Sequence, residues 1–143
     1  MFFRKKYILI IPIIFIFIFH SCEDFFSPEE ETGDPRDKVN DLWYCTEESE
    51  IFGKTSYDEV YIYNHPSDST SIYIENFYNL GENNKIKAQL SGKTIIINNG
   101  YIDEYIVSGV GNINNSYTQI DWNYSVEHPD GEEDNVTAIY TKY

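Results

Sequence analysis

The sequence predicts an all-β protein: about eight antiparallel strands in a meander, closed as an up-and-down barrel or stacked as a sandwich. Two observations carry this. From Val39 onward, short runs rich in Tyr, Ile and Val alternate with turn signals at roughly even spacing. No window of about twelve residues holds a 3.6-residue apolar period free of Gly and Pro.

The chain has 143 residues, and the first 21 read as a signal peptide. Arg4, Lys5 and Lys6 form a basic cluster, and the uncharged apolar run Tyr7–Phe19 follows, ahead of His20, Ser21 and Cys22. That order is the secretory pattern. The competing reading is an uncleaved anchor, but the run lacks the ~20 residues a spanning helix needs. Phe19-His20-Ser21-Cys22 resembles the lipobox of a bacterial lipoprotein, which implies that Cys22 carries the lipid. Residues 22–38 read as an acidic tether, with Glu29-Glu30-Glu31, Gly33, Pro28, Pro35 and no hydrophobic period. Glu23 and Asp24 resemble the acidic tag that sends lipoproteins of the Bacteroidetes to the cell surface. Phe25-Phe26 either dips into the bilayer or packs on the domain.

Residues 39–143 form the single β domain. Val39–Thr46 is the first strand, with Trp43 its largest contribution to the core. Asp58–Asn64 is the second, Val60 and Ile62 facing one way and Tyr57, Tyr61 and Tyr63 the other. After the turn His65–Ser69, Ser71–Tyr78 returns with Ile72 and Ile74 inward and Tyr73, Glu75 and Phe77 outward. Lys85–Leu90 alternates, and Ser91-Gly92-Lys93 turns it into Thr94–Ile97. Asn98-Asn99-Gly100 reads as a turn. In Tyr105–Ile113, Gly109 and Gly111 share a face, the mark of a bulge, a bend or a close backbone approach. Tyr117–Val126 puts Ile120, Trp122, Tyr124 and Val126 on one face. An acidic turn, Pro129–Asn135, leads to Val136–Lys142.

Composition narrows the partners. Three of ten basic and none of 24 acidic residues precede Cys22, so the remainder carries 7 − 24 = −17. Nucleic acid repels such a chain, and so does an anionic lipid surface. Its 12 remaining tyrosines and two tryptophans nevertheless argue for a packed core over disorder. With Cys22 lipidated, Cys45 has no disulfide partner. Its context, Leu42-Trp43-Tyr44-Cys45, predicts a buried, inert thiol.

Gly33-Asp34-Pro35-Arg36-Asp37-Lys38, Leu42-Trp43, Asn76-Phe77-Tyr78-Asn79-Leu80-Gly81, Ser91-Gly92 and Ala138-Ile139-Tyr140-Thr141-Lys142 together resemble the small calycin-like (lipocalin-like) lipoproteins of the Bacteroidetes, mostly uncharacterised. The resemblance implies a barrel held at the outer membrane and facing the cell surface.

Catalytic words are absent: no Gly-x-Ser-x-Gly elbow, no His-Glu-x-x-His helix, and no third glycine after Gly109-Val110-Gly111. His65 and His128 each sit beside a proline in a turn, so the expectation is a protein without catalysis or cofactor. Asp130, Glu132, Glu133 and Asp134 lack the ordered spacing of a Ca²⁺ loop and read as a solvated charge run. The candidate ligand-binding residues are Tyr57, Tyr61, Tyr63, Tyr73 and Phe77, one aromatic strip if the second and third strands pair. Two functions follow. One is a lipid-anchored module that binds a small apolar or amphipathic ligand. The other is a non-enzymatic structural or protein/glycan-interaction lipoprotein with a side-chain-filled barrel. A lumen of ~300 Å³ or more would favour the first, and a packed interior the second.

Overall fold

Alternating side chains build one wall. In a computed structural model, whose described residues are Gly33–Tyr143, the strands are β1 (Asp41–Ser49), β2 (Gly53–Asn64), β3 (Ser71–Glu75), β4 (Lys85–Ser91), β5 (Thr94–Ile102), β6 (Tyr105–Ile113), β7 (Gln119–Glu127) and β8 (Glu133–Lys142). Each pairs antiparallel with the next, and β8 pairs back onto β1. The sheet is therefore a closed barrel in sequence order, not a sandwich, and closure leaves no strand edge unpaired. The signal segment, Cys22, the tether up to residue 32 and the Phe25-Phe26 pair lie outside the described residues.

The face of β7 expected inside is inside: Ile120, Trp122, Tyr124 and Val126 are buried. Gly111 and Gly109 of β6 stand opposite Trp122 and Tyr124. A Cβ on Gly111 would lie 2.7 Å from the Trp122 indole, and one on Gly109 2.2 Å from the Tyr124 Cβ. Of the three roles glycine plays in a strand, this is close approach: the missing side chains give two large rings their room.

Two bulges correct the sequence reading. On β2, Trp43 pairs with Val60 and Cys45 with Tyr57, so Asp58 and Glu59 oppose Tyr44 alone. Glu59 takes up the extra residue at φ 63°. The bulge inverts the phase, so Tyr57 points inward instead of sharing the outer face of Tyr61 and Tyr63. On β5, Asn98 and Asn99 oppose Ser108, with Asn99 at φ 49°. What reads as a turn is thus a bulge, and β5 continues to Ile102.

Short 3₁₀ turns close the two ends of the barrel. The first, Pro35–Lys38, falls in the stretch expected to be tether. Asp34 caps it, accepting from the Arg36 amide at 3.0 Å and pairing with the Arg36 guanidinium. That guanidinium also donates to the carbonyls of His65, Asp68 and Ser71 at 3.1, 2.7 and 3.0 Å. Five fixed donors find a ring of acceptors, so a charged, proline-bearing string becomes part of the domain. The second turn, Phe77–Asn79, belongs to the β3–β4 connection. Asn76, at φ 59°, ends β3 at Glu75 and swings Phe77 into the lumen, where it is fully buried. This corrects the expected strand to Tyr78 and the outward placement of Phe77.

Trp122→Ala should cost about 3–5 kcal/mol in denaturant melts, whereas Tyr61→Ala, 44% exposed, should cost about 0.5 or less. Gly109→Ala should lose roughly 1–3 kcal/mol or more, because the atoms it meets include the Tyr124 backbone. Comparable losses for Trp122→Ala and Tyr61→Ala would contradict the inside and outside described here.

Candidate functional site: the barrel lumen and the outer tyrosine row

Residues 43, 45, 47 and 49 of β1 share the inward phase, which puts a carboxylate between a thiol and a serine inside the barrel. Glu47 Oε2 accepts from the Tyr124 hydroxyl at 2.7 Å, the Tyr57 hydroxyl at 2.9 Å and the Cys45 thiol at 3.9 Å. Burial pushes the Glu47 carboxyl up from its ordinary value, against the two hydroxyls that pull it down. Burial likewise raises the Tyr57, Tyr124 and Tyr140 phenols and the Cys45 thiol. The Tyr140 hydroxyl lies beside Tyr57 and Cys45 but makes no well-formed hydrogen bond, and neither does the Trp122 indole nitrogen.

Phe77 fills the space between these rings, its centroid 4.7 Å from Tyr124, 5.4 Å from Trp122 and 6.3 Å from Tyr140. Trp43, Ile62, Ile72, Ile74, Ile86 and Ile95 occupy the rest. The lumen is thus filled by the chain itself. A groove of about 570 Å³ lies on the outer wall instead, lined by Asn123, Ser125, Asn135 and Thr137.

A second polar group joins β1, β8 and the β3–β4 connection. The Asp134 carboxylate accepts from Ser49 Oγ at 2.6 Å, from the Tyr78 hydroxyl at 2.5 Å and from the Ile51 amide at 3.2 Å. The Tyr78 hydroxyl also meets His128 Nε2 at 3.1 Å. Burial pushes Asp134 up, but its donors together outweigh burial and hold the carboxyl below its ordinary value. The expected solvated run of Asp130, Glu132, Glu133 and Asp134 therefore loses one member to the interior, because Asp134 follows the inward phase of β8. Among the described residues, no three of His, Cys, Asp and Glu stand together as a metal site.

Of the five predicted site residues, three meet on the outer wall. Tyr61 stacks on Tyr63 at 5.1 Å, Tyr63 meets Tyr73 at a tilt at 5.7 Å, and His65 extends the row at 4.7 Å from Tyr73. Lys85 Nζ stands 4.5 Å from the Tyr73 ring centroid. Tyr57 and Phe77 are lumen residues, separated from the row by the β2 bulge and the Asn76 turn. Glu47, Tyr124, Tyr140 and Trp122 complete the lumen group. The in-phase spacing of Trp43, Cys45 and Glu47 was the signal for it.

No protein-family model matches the chain, and no curated protein does. A solved structure of a structural-genomics protein of unknown function from Bacteroides ovatus is similar, with TM-score 0.50 at 9% identity. The match covers 72% of this chain and 41% of that one, so the chain spans less than half of its length. The likeness is one of fold, and an eight-strand antiparallel meander barrel is consistent with a calycin-like fold.

Cys45 should resist a thiol reagent in the native state and react fast once denaturant is added, since burial both shields it and disfavours its thiolate. Rapid native labelling would contradict this.

The two carboxyls should act oppositely with pH. Glu47 has a folded value above its ordinary 4.5. Its stabilising contribution is complete below about pH 4.5 and is lost as pH rises through the folded value. Glu47→Gln, with no proton to lose, should gain on wild type as pH increases over that window. Asp134, held below its ordinary 3.8, contributes above about pH 3.8, so the deficit of Asp134→Asn should shrink as the solution is acidified through the lowered value. Urea melts across pH measure both slopes, and parallel curves for all three proteins would refute the assignment.

Proposed function

We propose that the protein is a lipid-anchored binding module of the cell envelope. Cys22 carries the acyl chains, the acidic tether holds the barrel off the outer membrane on the cell-surface side, and the barrel takes a small apolar or amphipathic ligand. One observation carries this reading: the ring at the centre of the lumen belongs to a connection, not to a strand. Phe77 can leave without breaking a ladder hydrogen bond. Its flanks Asn76, Tyr78 and Asn79 all sit at positive φ, a conformation that costs a residue such as Tyr about 1–2 kcal/mol. The strain is held by hydrogen bonds from Asn76 to the Asp58 carbonyl and from Tyr78 to Asp134. Withdrawal would relieve it and uncover an aromatic chamber. The reading is non-enzymatic: His65 packs on Tyr73, and the hydroxyl that His128 meets, that of Tyr78, donates to Asp134.

The second reading, a structural or protein/glycan-interaction lipoprotein with a filled barrel, is favoured by the lumen as it stands, packed with the chain's own side chains, and by the outer row of Tyr61, Tyr63 and Tyr73.

Radiolabelled palmitate should enter wild type and not Cys22→Ser; equal labelling would refute the anchor. Native mass spectrometry of the protein released from its own membrane should show added small-molecule mass. A bare mass, with a co-purifying protein lost in Tyr61→Ala and Tyr73→Ala, would favour the second reading instead.

A further inference from the structure

We infer that the lumen is built to receive an arylalkyl amine, its aryl ring taking the place of Phe77 and its ammonium group meeting Glu47. This inference rests on the ligand-binding reading above and names the ligand class. The ring part follows from the present occupant. Trp122, Tyr124 and Tyr140 already hold a phenyl ring among them, at centroid separations of 5.4, 4.7 and 6.3 Å. A guest ring of similar size would inherit the same edge and tilted contacts.

The cationic part follows from charge. Glu47 is buried, and its partners are two phenols and a thiol; Asp134, also buried, is held by hydroxyls and an amide. Among the described residues the buried cation is Arg36, at the opposite end and committed to Asp34 and three carbonyls. A carboxylate taken out of water without a cation is costly, and a cation delivered to it recovers much of that cost. The rings that remain, Tyr57, Trp122, Tyr124 and Tyr140, favour an organic ammonium over a bare metal ion, since ring faces attract such groups. Two polar atoms remain to be matched. The Trp122 indole nitrogen is buried without a hydrogen bond, and the Tyr140 hydroxyl, though beside Tyr57 and Cys45, makes no well-formed one; buried polar groups are ordinarily satisfied. The Tyr140 oxygen can accept from an ammonium N–H. The indole N–H can donate to an oxygen substituent on the guest.

Tyr124 links the two positions, its ring against Phe77 and its hydroxyl on Glu47. Ring and ammonium would therefore lie about one tyrosine length apart, the reach of a two- or three-carbon arm.

The test uses the full acylated chain in lipid nanodiscs, with empty discs as blank, and three probes of one shape: phenethylamine, 2-phenylethanol and phenylacetate. Calorimetry should show the amine binding at least tenfold tighter than the alcohol and the acid not binding. Glu47→Gln should weaken the amine about tenfold and leave the alcohol unchanged. Phe77→Ala, or Phe77→Leu where the alanine variant fails to fold, should tighten both amine and alcohol by removing the internal competitor. The Trp122 indole N–H resonance, identified by its loss in Trp122→Phe, should move on binding. If amine and alcohol bind alike and Glu47→Gln changes neither, the ammonium inference is overturned and the ligand-binding reading stands. If no probe binds wild type or whichever Phe77 variant folds, both are overturned.

Discussion

The need to fill a closed lumen governs this structure. Eight strands joined edge to edge enclose a space that water cannot satisfy, and interiors pack to the density of organic crystals. The strands meet that demand unevenly. β6 brings Gly109 and Gly111 to the inner wall and withdraws volume there, which β7 returns as Tyr124 and Trp122. β3 stops at Glu75 after five residues, and the volume it leaves is supplied by Phe77 from the connection that follows. The Trp122, Tyr124 and Tyr140 rings all pack around that one phenyl group.

The walls were legible in the sequence because a period of two is a local property. Ile120, Trp122, Tyr124 and Val126 announce their face without reference to any neighbour, and so do Ile72 and Ile74. Nearest-neighbour pairing then yields the meander. A phase break is not local in the same way. Nothing in Tyr57-Asp58-Glu59-Val60 distinguishes a bulge from a continuous strand, because Glu59 takes positive φ only where the partner strand requires two residues against one. The same holds for Asn98-Asn99, whose composition suggests a turn, although β6 keeps it in the sheet. The β2 bulge thus turns Tyr57 out of the strip that holds Tyr61, Tyr63 and Tyr73, and the left-handed Asn76 does the same for Phe77.

The domain boundary was obscured for another reason. Proline, glycine and charge mark a solvated linker only while the charges find no partner inside. Arg36 finds three carbonyls of the β2–β3 turn, thirty-odd residues away in the chain, and a contact of that range leaves no trace in composition. Glu47 lies one residue beyond the strand expected from the sequence, Val39–Thr46, yet it leaves a local signal. It stands in phase with Trp43 and Cys45, and an acidic residue on an inward phase signals a buried polar cluster.

The two ends of the barrel treat buried charge differently, and the contrast bears on what Glu47 is for. Arg36 and Asp34 neutralise each other, and the remaining guanidinium donors reach carbonyls, so that closure is complete in charge and in hydrogen bonds. Asp134 has no cation partner among the described residues but accepts from two hydroxyls and an amide, enough to keep its proton off. Glu47 has the poorest set: one oxygen accepts two phenols and a distant thiol, and burial raises its affinity for a proton. Packing alone does not call for a carboxyl here, since apolar groups of the same volume commonly stabilise a buried site as well or better. Tyr57 and Tyr124 do need an acceptor, yet a neutral amide would serve two donors equally. The surplus in this cluster is therefore a carboxyl that can ionise, and it adjoins the one lumen side chain that no strand supplies.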